Sequence, residues 1–165
     1  MLLVRHSVPE VDPSIPAADW RLTAEGRSRC AALAERLAAH EPDVVVSSPE
    51  PKARETAELL AARLGLELRE AAELREQERR TVGWLERAEL EAGIRRLFAE
   101  PDQVVFGEES ATDALARFSR AVDGLGDGAV VVSHGTVISL YAAGCTGSDA
   151  FEIWSGLELP DLLVV

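Results

Sequence analysis

Apolar residues along this chain fall into two alternating patterns. Short apolar runs read as strands buried on both faces: Leu2 to Val4, Asp43 to Val46 with its three valines, and Ala129 to Val132; Leu66 to Arg69 is a candidate short third strand, and Asp161 to Val165 reads as a terminal one. Between them the spacing turns helical. Thr23 caps a helix that begins near Ala24, carries Glu25 in its first turn, places Cys30, Leu33, Ala34 and Leu37 on one face, and ends by about His40 ahead of Pro42. A second helix is predicted from about Lys52 to Leu64, stopped by Gly65. Residues 70 to 100 are charged and mostly helical in pattern, closing at Pro101. Ser110 with Asp113 resembles a capping box opening a helix with Leu115, Phe118 and Val122 on its face, which ends in the glycines at 124, 126 and 128. A last helix follows "SHGT" and runs to roughly Ala143. The segment 7–22 holds Pro9, Pro13 and Pro16 and is predicted to be a long ordered loop of the kind that covers functional sites. Alternation of this kind predicts an α/β fold, a three-layer sandwich with a mostly parallel sheet covered by helices on both faces.

Composition narrows the picture. The 165 residues are expected to form one domain, 1–165, and 47% apolar with 28% charged residues is ordinary for a globular chain. No apolar stretch approaches the ~18 residues of a spanning helix, and Arg5 interrupts the only candidate signal region, so the expectation is a cytoplasmic protein with no membrane partner. Cys30 and Cys145 are too few for a disulfide framework and neither has metal-type spacing. A formal charge of −12 argues against nucleic acid, and any phosphate ligand must be met by a local positive pocket.

Such pockets form where parallel strands end. Three strand exits carry reactive residues: Arg5 and His6; Ser47, Ser48 and Pro49 followed by Lys52; and Ser133, His134 and Gly135. Two imidazoles beside cationic groups suit a phosphoryl group, whose transfer depends on in-line positioning and neutralisation of spread charge, and an imidazole can itself be the nucleophile. Helix starts after Lys52 and His134 are expected to aim further N–H groups at the same anion.

With those residues assembled, the chain resembles the histidine phosphatase superfamily, the phosphoglycerate mutase-like proteins, in its small phosphatase branch. "LLVRHS" is similar to the family's strand followed by Arg-His-Gly, "LTAEGR" to its Leu-Thr-x-x-Gly helix start, and "SSPEPKARETAELL" to Ser-Ser-Pro-x-x-Arg-Ala-x-x-Thr-Ala. "LRE" at 74–76 and "VVVSHGTVI" complete an ordered set from residue 2 to about 140. The resemblance implies a metal-independent phosphatase without cofactor, acting through a covalent phosphohistidine. His6 is then the nucleophile, Arg5 binds phosphate oxygens, and His134, with Gly135 beside it, stabilises the transferring group. Glu76 is then the general acid for the leaving oxygen and later the base for water, with Glu73 and Glu78 as the other acidic candidates. Two positions depart from the pattern. Ser7 replaces a glycine, its hydroxyl contacting phosphate or fitting the turn. Lys52 replaces a phosphate-binding arginine, keeping the charge but lacking the planar fork; Arg54 points about 200° away on a regular helix and is a poor substitute.

Other residues have plainer explanations. His40 sits at a helix end, the three tryptophans suit packing, Glu108, Glu109 and Ser110 suit a helix cap, and Arg117 a structural salt bridge. The short chain offers little material for a cap that retains a bisphosphate, which favours hydrolysis over phosphoglycerate mutase-type transfer. The substrate is expected to be a phosphorylated small molecule or a phosphoprotein. The rival outside enzyme chemistry is a phosphate-binding pseudoenzyme.

Overall fold

The computed structural model describes residues 1–165. Five strands form one sheet: β1 (Leu2–Arg5), β2 (Val44–Ser47), β3 (Glu67–Glu70), β4 (Ala129–Ser133) and β5 (Asp161–Val164). Their spatial order is β3-β2-β4-β1-β5; the first four are parallel and β5 runs antiparallel beside β1. Six helices accompany them: α1 (Ala24–Ala38), α2 (Pro51–Leu64), α3 (Arg87–Ala99), α4 (Ala111–Val122), α5 (Gly135–Thr146) and α6 (Ala150–Gly156). No helix is long and apolar enough to cross a membrane.

The period-2 geometry of the strands sorts their side chains between two cores. Leu2, Val4, Val45, Val130 and Val132 face α1 and α2, meeting Cys30, Leu33, Leu37, Ala57 and Leu60. Leu3, Val46 and Val131 face the opposite way onto Phe118, Val122, Val137 and Ile138 of α4 and α5. A sheet covered on both faces explains the uninterrupted valines of β2 and β4, and the architecture is the three-layer sandwich expected from the pattern. A satellite cluster of Ile94, Leu97, Ala111 and Trp154 seats α3 and α6 outside the second layer.

Local chemistry sets the element ends. The Thr23 hydroxyl accepts the Gly26 N–H at 2.9 Å and Ser110 accepts the Asp113 N–H at 3.0 Å, as the capping patterns predict. Gly65 closes α2 in the left-handed region at φ 69°. Gly26 is needed for close approach, because a Cβ there would lie 2.4 Å from the Val8 carbonyl oxygen.

Three expectations need correction. Residues 75–86 are not helical: after a short 3-10 turn at Ala72–Leu74 the chain is irregular until α3 starts at Arg87. The reason is visible in the hydrogen bonds, since backbone groups of Glu73, Arg75 and Glu76 are taken by side chains from elsewhere instead of by a helical ladder. β3, "ELRE", is an edge strand with mostly exposed side chains, not an apolar one. Finally α6 was not foreseen, although Asp149, whose side chain accepts the Glu152 N–H at 2.8 Å, is its cap.

Candidate active site

β1, β2 and β4 end side by side, and their exits converge. Arg5 lies opposite Ser133 in the register of β1 and β4, so His6 and His134 leave adjacent strand ends in the same direction. Their rings meet edge to face with centroids 5.2 Å apart, and both are buried. The Nδ1 of His6 lies 2.8 Å from the Ser7 carbonyl oxygen, which can only accept, so Nδ1 carries the proton and the lone pair sits on Nε2. Nε2 has no protein partner. Burial pushes the His6 imidazolium well below its usual pKa, and the charges of His134 and Lys52 push the same way. Burial likewise depresses His134, with Lys52 adding to it and Glu76 opposing. Both rings are therefore neutral at physiological pH.

Around the rings, cationic groups present unused donors. The Arg5 guanidinium donates from one terminal nitrogen to the Leu157 carbonyl at 2.8 Å, while its buried Nε has no partner; the buried Nδ1 of His134 is also unpartnered. These are the only two buried side-chain polar atoms without a partner, and both belong to this cluster. A native interior seldom leaves such atoms unpaired without a functional reason. Gly135 lets the guanidinium lie flat against the start of α5, since a Cβ there would come 3.2 Å from the Arg5 Nε and 3.4 Å from Trp154.

Lys52 is buried, 5% exposed, and its ammonium donates to the Ala17 carbonyl at 2.7 Å and to Glu50 at 2.6 Å. One of its three N–H groups stays free, on a charge that both histidines feel. Its contact with Ala17 ties the 7–22 loop over this side of the pocket. Arg54 instead pairs with exposed Glu58.

Glu50 joins the cluster, a position that no sequence motif assigns. Its carboxylate is the salt partner of Lys52, accepts the Glu76 N–H at 2.8 Å, and lies 3.7 Å from His134 Nε2. Its place in "SSPEPK", between the prolines, was the only available signal. Ser48 is a further partner; its hydroxyl lies 2.8 Å from His134 Nε2.

Of the three acidic candidates, Glu76 alone reaches this cluster. Its oxygens accept from the Thr136 N–H (3.2 Å) and hydroxyl (3.0 Å), the Val137 N–H (3.3 Å) and the Gln77 N–H (2.9 Å), and pair with Arg79 at 3.2 Å. Burial alone would raise its pKa, but Arg79, His134 and the N–H donors outweigh it and hold the carboxyl at about 2. Glu73 and Glu78 are exposed. Arg79, three residues beyond Glu76, is a second partner that the charged run concealed.

One expectation changes and one open choice is decided. The first amides of α5 point not at an open anion site but at the protein's own carboxylate, Glu76, which fills the helix N-terminus. Ser7, for which phosphate contact and fitting the turn were both open, donates its hydroxyl to the Gly26 carbonyl at 2.7 Å while its N–H goes to Thr56, as the second role requires. It is fully buried in the turn and serves the β1–α1 packing.

A mostly parallel α/β sandwich with two neutral imidazoles and unpaired guanidinium and imidazole nitrogens at the carboxyl edge of its sheet defines a protein built to receive a compact anion. The chain belongs to the histidine phosphatase superfamily (branch 1), whose family model matches residues 1–160. No curated protein matches the sequence significantly. Among solved structures it is similar to mycobacterial hydrolase 1, with 26% identity over 96% of this chain and 86% of that one and a TM-score of 0.74. It is also similar to the mycobacterial glucosyl-3-phosphoglycerate phosphatase, with 26% identity, 96% and 84% coverage and a TM-score of 0.72. The phosphoserine phosphatase of Entamoeba histolytica, 19% identical over 98% and 93% with a TM-score of 0.73, shares the fold. The family match and the first two neighbours support phosphatase activity, and the third adds the fold alone.

Proposed function

We propose that the protein hydrolyses small anionic phosphomonoesters through a phosphohistidine on His6, without a metal ion. The observation that carries this reading is the tautomer of His6: Nδ1–H is locked on the Ser7 carbonyl, which leaves an unprotonated, unpartnered Nε2 in the cluster that also holds the unpartnered nitrogens of Arg5 and His134. In the first step Nε2 attacks phosphorus, the ester P–O bond breaks, and its electron pair passes to the leaving oxygen. The charges of Arg5 and Lys52 neutralise the equatorial oxygens, and the neutral His134 ring lies against them. With its carboxyl held at about 2, Glu76 starts as a carboxylate. It takes the proton of the phosphate monoanion and hands it to the leaving oxygen. In the second step it accepts a proton from water as that water attacks phosphorus, the N–P electron pair returns to Nε2, and Glu76 passes the proton to the departing phosphate, which restores the carboxylate.

Phosphorylated small acids are favoured over phosphoproteins because Lys52 holds the 7–22 loop against the pocket instead of leaving an open face. The glucosyl-3-phosphoglycerate phosphatase, solved in complex with inorganic phosphate, supports the same choice. The test is to incubate wild type and His6→Ala with a panel of phosphoesters, quench in alkali, and measure acid-labile phosphate on the protein. Label is expected on wild type alone and unchanged by chelators. Label that persists on His6→Ala would overturn the nucleophile. Phosphate binding with no turnover of any ester would make the protein a pseudoenzyme.

A further inference from the structure

We propose that Arg117 of α4 is a positioning residue for the Glu76 carboxylate, an inference that rests on the proton-transfer role given to Glu76 above. Arg117 is 4% exposed and makes five hydrogen bonds, one for each guanidinium N–H it has. Two go in a fork to Glu109, from Nε and a terminal nitrogen, both at 2.8 Å. The other three go to backbone carbonyls: Glu73 at 2.6 Å, Arg75 at 2.8 Å and Glu76 at 2.8 Å. One side chain thus grips three carbonyls within four residues, ending on the residue whose carboxylate faces the pocket.

The same residue is held from its other side by Glu50, which accepts the Glu76 N–H. The N–H and carbonyl of Glu76 are therefore fixed by opposite charges, one from the start of α2 and one from α4. Glu109 completes the frame by accepting the Glu78 N–H at 3.0 Å, and Gln77 donates to the carbonyls of Phe106 and Glu109. These contacts replace the helix that residues 75–86 do not form: they hold the backbone of Glu76, while the first turn of α5 and Arg79 hold its carboxylate. An ion pair kept only for stability is replaceable by apolar residues of similar volume at little cost. The geometry here instead places charged donors on the peptide carbonyls of the proton-transfer residue, where an error near 1 Å lowers rates about a hundredfold.

The experiment compares two probes by kcat/KM, which reports only the phosphorylation of the enzyme. 2,4-Dinitrophenyl phosphate expels its leaving group without a proton; β-glycerophosphate needs one. Arg117→Lys keeps the charge but cannot span three carbonyls and a carboxylate. It is expected to lower kcat/KM for β-glycerophosphate roughly 10- to 100-fold and to change that for the dinitrophenyl ester by less than about threefold, with inorganic phosphate affinity unchanged. Arg117→Met/Glu109→Gln, which leaves no unpaired buried charge, serves if the lysine variant does not fold, and thermal melting separates folding from function. Glu76→Gln should show the same dependence on the leaving group. Equal loss on both probes, or no loss on either, in an Arg117 variant while Glu76→Gln discriminates between them overturns the inference and leaves the role of Glu76 intact. Failure of Glu76→Gln itself to discriminate removes that role, and the positioning role with it.

Discussion

Glu50→Gln tests the charge balance of the pocket directly. A carboxylate 3.7 Å from His134 Nε2 is an unexpected neighbour for a site that must hold a phosphoryl group. A phosphoryl group touching the His134 ring would lie on the order of 6 Å from that carboxylate. At an effective dielectric of about 20, each pair of unit charges at ~6 Å repels by ~3 kcal/mol. Solvent at the pocket mouth halves this or more, leaving about 1.4 kcal/mol, a tenfold change in affinity. Glutamine retains an oxygen for the Glu76 N–H, so the loop around Glu76 should stay in place. Inorganic phosphate titrated by calorimetry at pH 7 and low salt is therefore expected to bind Glu50→Gln at least about tenfold tighter than wild type, and phosphate should become a stronger product inhibitor. An unchanged or weaker affinity would show that Glu50 serves mainly to orient Lys52, and the electrostatic reasoning would be wrong.

Lys52→Met should shift phosphate affinity in the opposite direction, weakening it about tenfold, by the same titration. In pH profiles, kcat/KM for β-glycerophosphate should fall above about pH 6, where the ester loses the proton Glu76 is to relay. A basic optimum would contradict the monoanion route. The folded-state pKa of Glu76 is depressed from 4.5 to about 2, so its contribution to stability is complete above pH 4.5 and is lost as pH falls toward 2. That contribution is about 3 kcal/mol, and chemical denaturation of wild type against Glu76→Gln should converge over this window. Gly26→Ala, whose new Cβ must push the Val8 carbonyl, should cost about 2–4 kcal/mol and displace the strand exit that carries His6, measured by denaturation and by labelling of His6.

Most of the sheet was legible because its strands are buried on both faces, where an unbroken apolar run leaves little room for another reading. The caps at Thr23 and Ser110 were legible for a related reason: their side chains bond within three residues, so the signal is local. What escaped is long-range. Residues 75–86 carry a helical charge pattern, yet Arg117, some forty residues on, takes the carbonyls that a helix would have used. Glu50 and Arg79 look like solvated charges in a polar stretch, and only the folded chain brings them to Lys52 and Glu76. Which of its two roles Ser7 takes was not legible, because its neighbour His6 faces the pocket whereas in an extended segment the next side chain turns to the other side.

The ammonium of Lys52 is a junction with two arms filled, one by the loop at Ala17 and one by Glu50, and a third left over. If a phosphoryl oxygen takes the third arm, guest and loop share a single tether. Thermodynamic reciprocity then requires that whatever grip the anion gains from a well-seated loop, the loop gains from the anion. Residence of phosphate and stiffness of the 7–22 segment become two readings of one quantity.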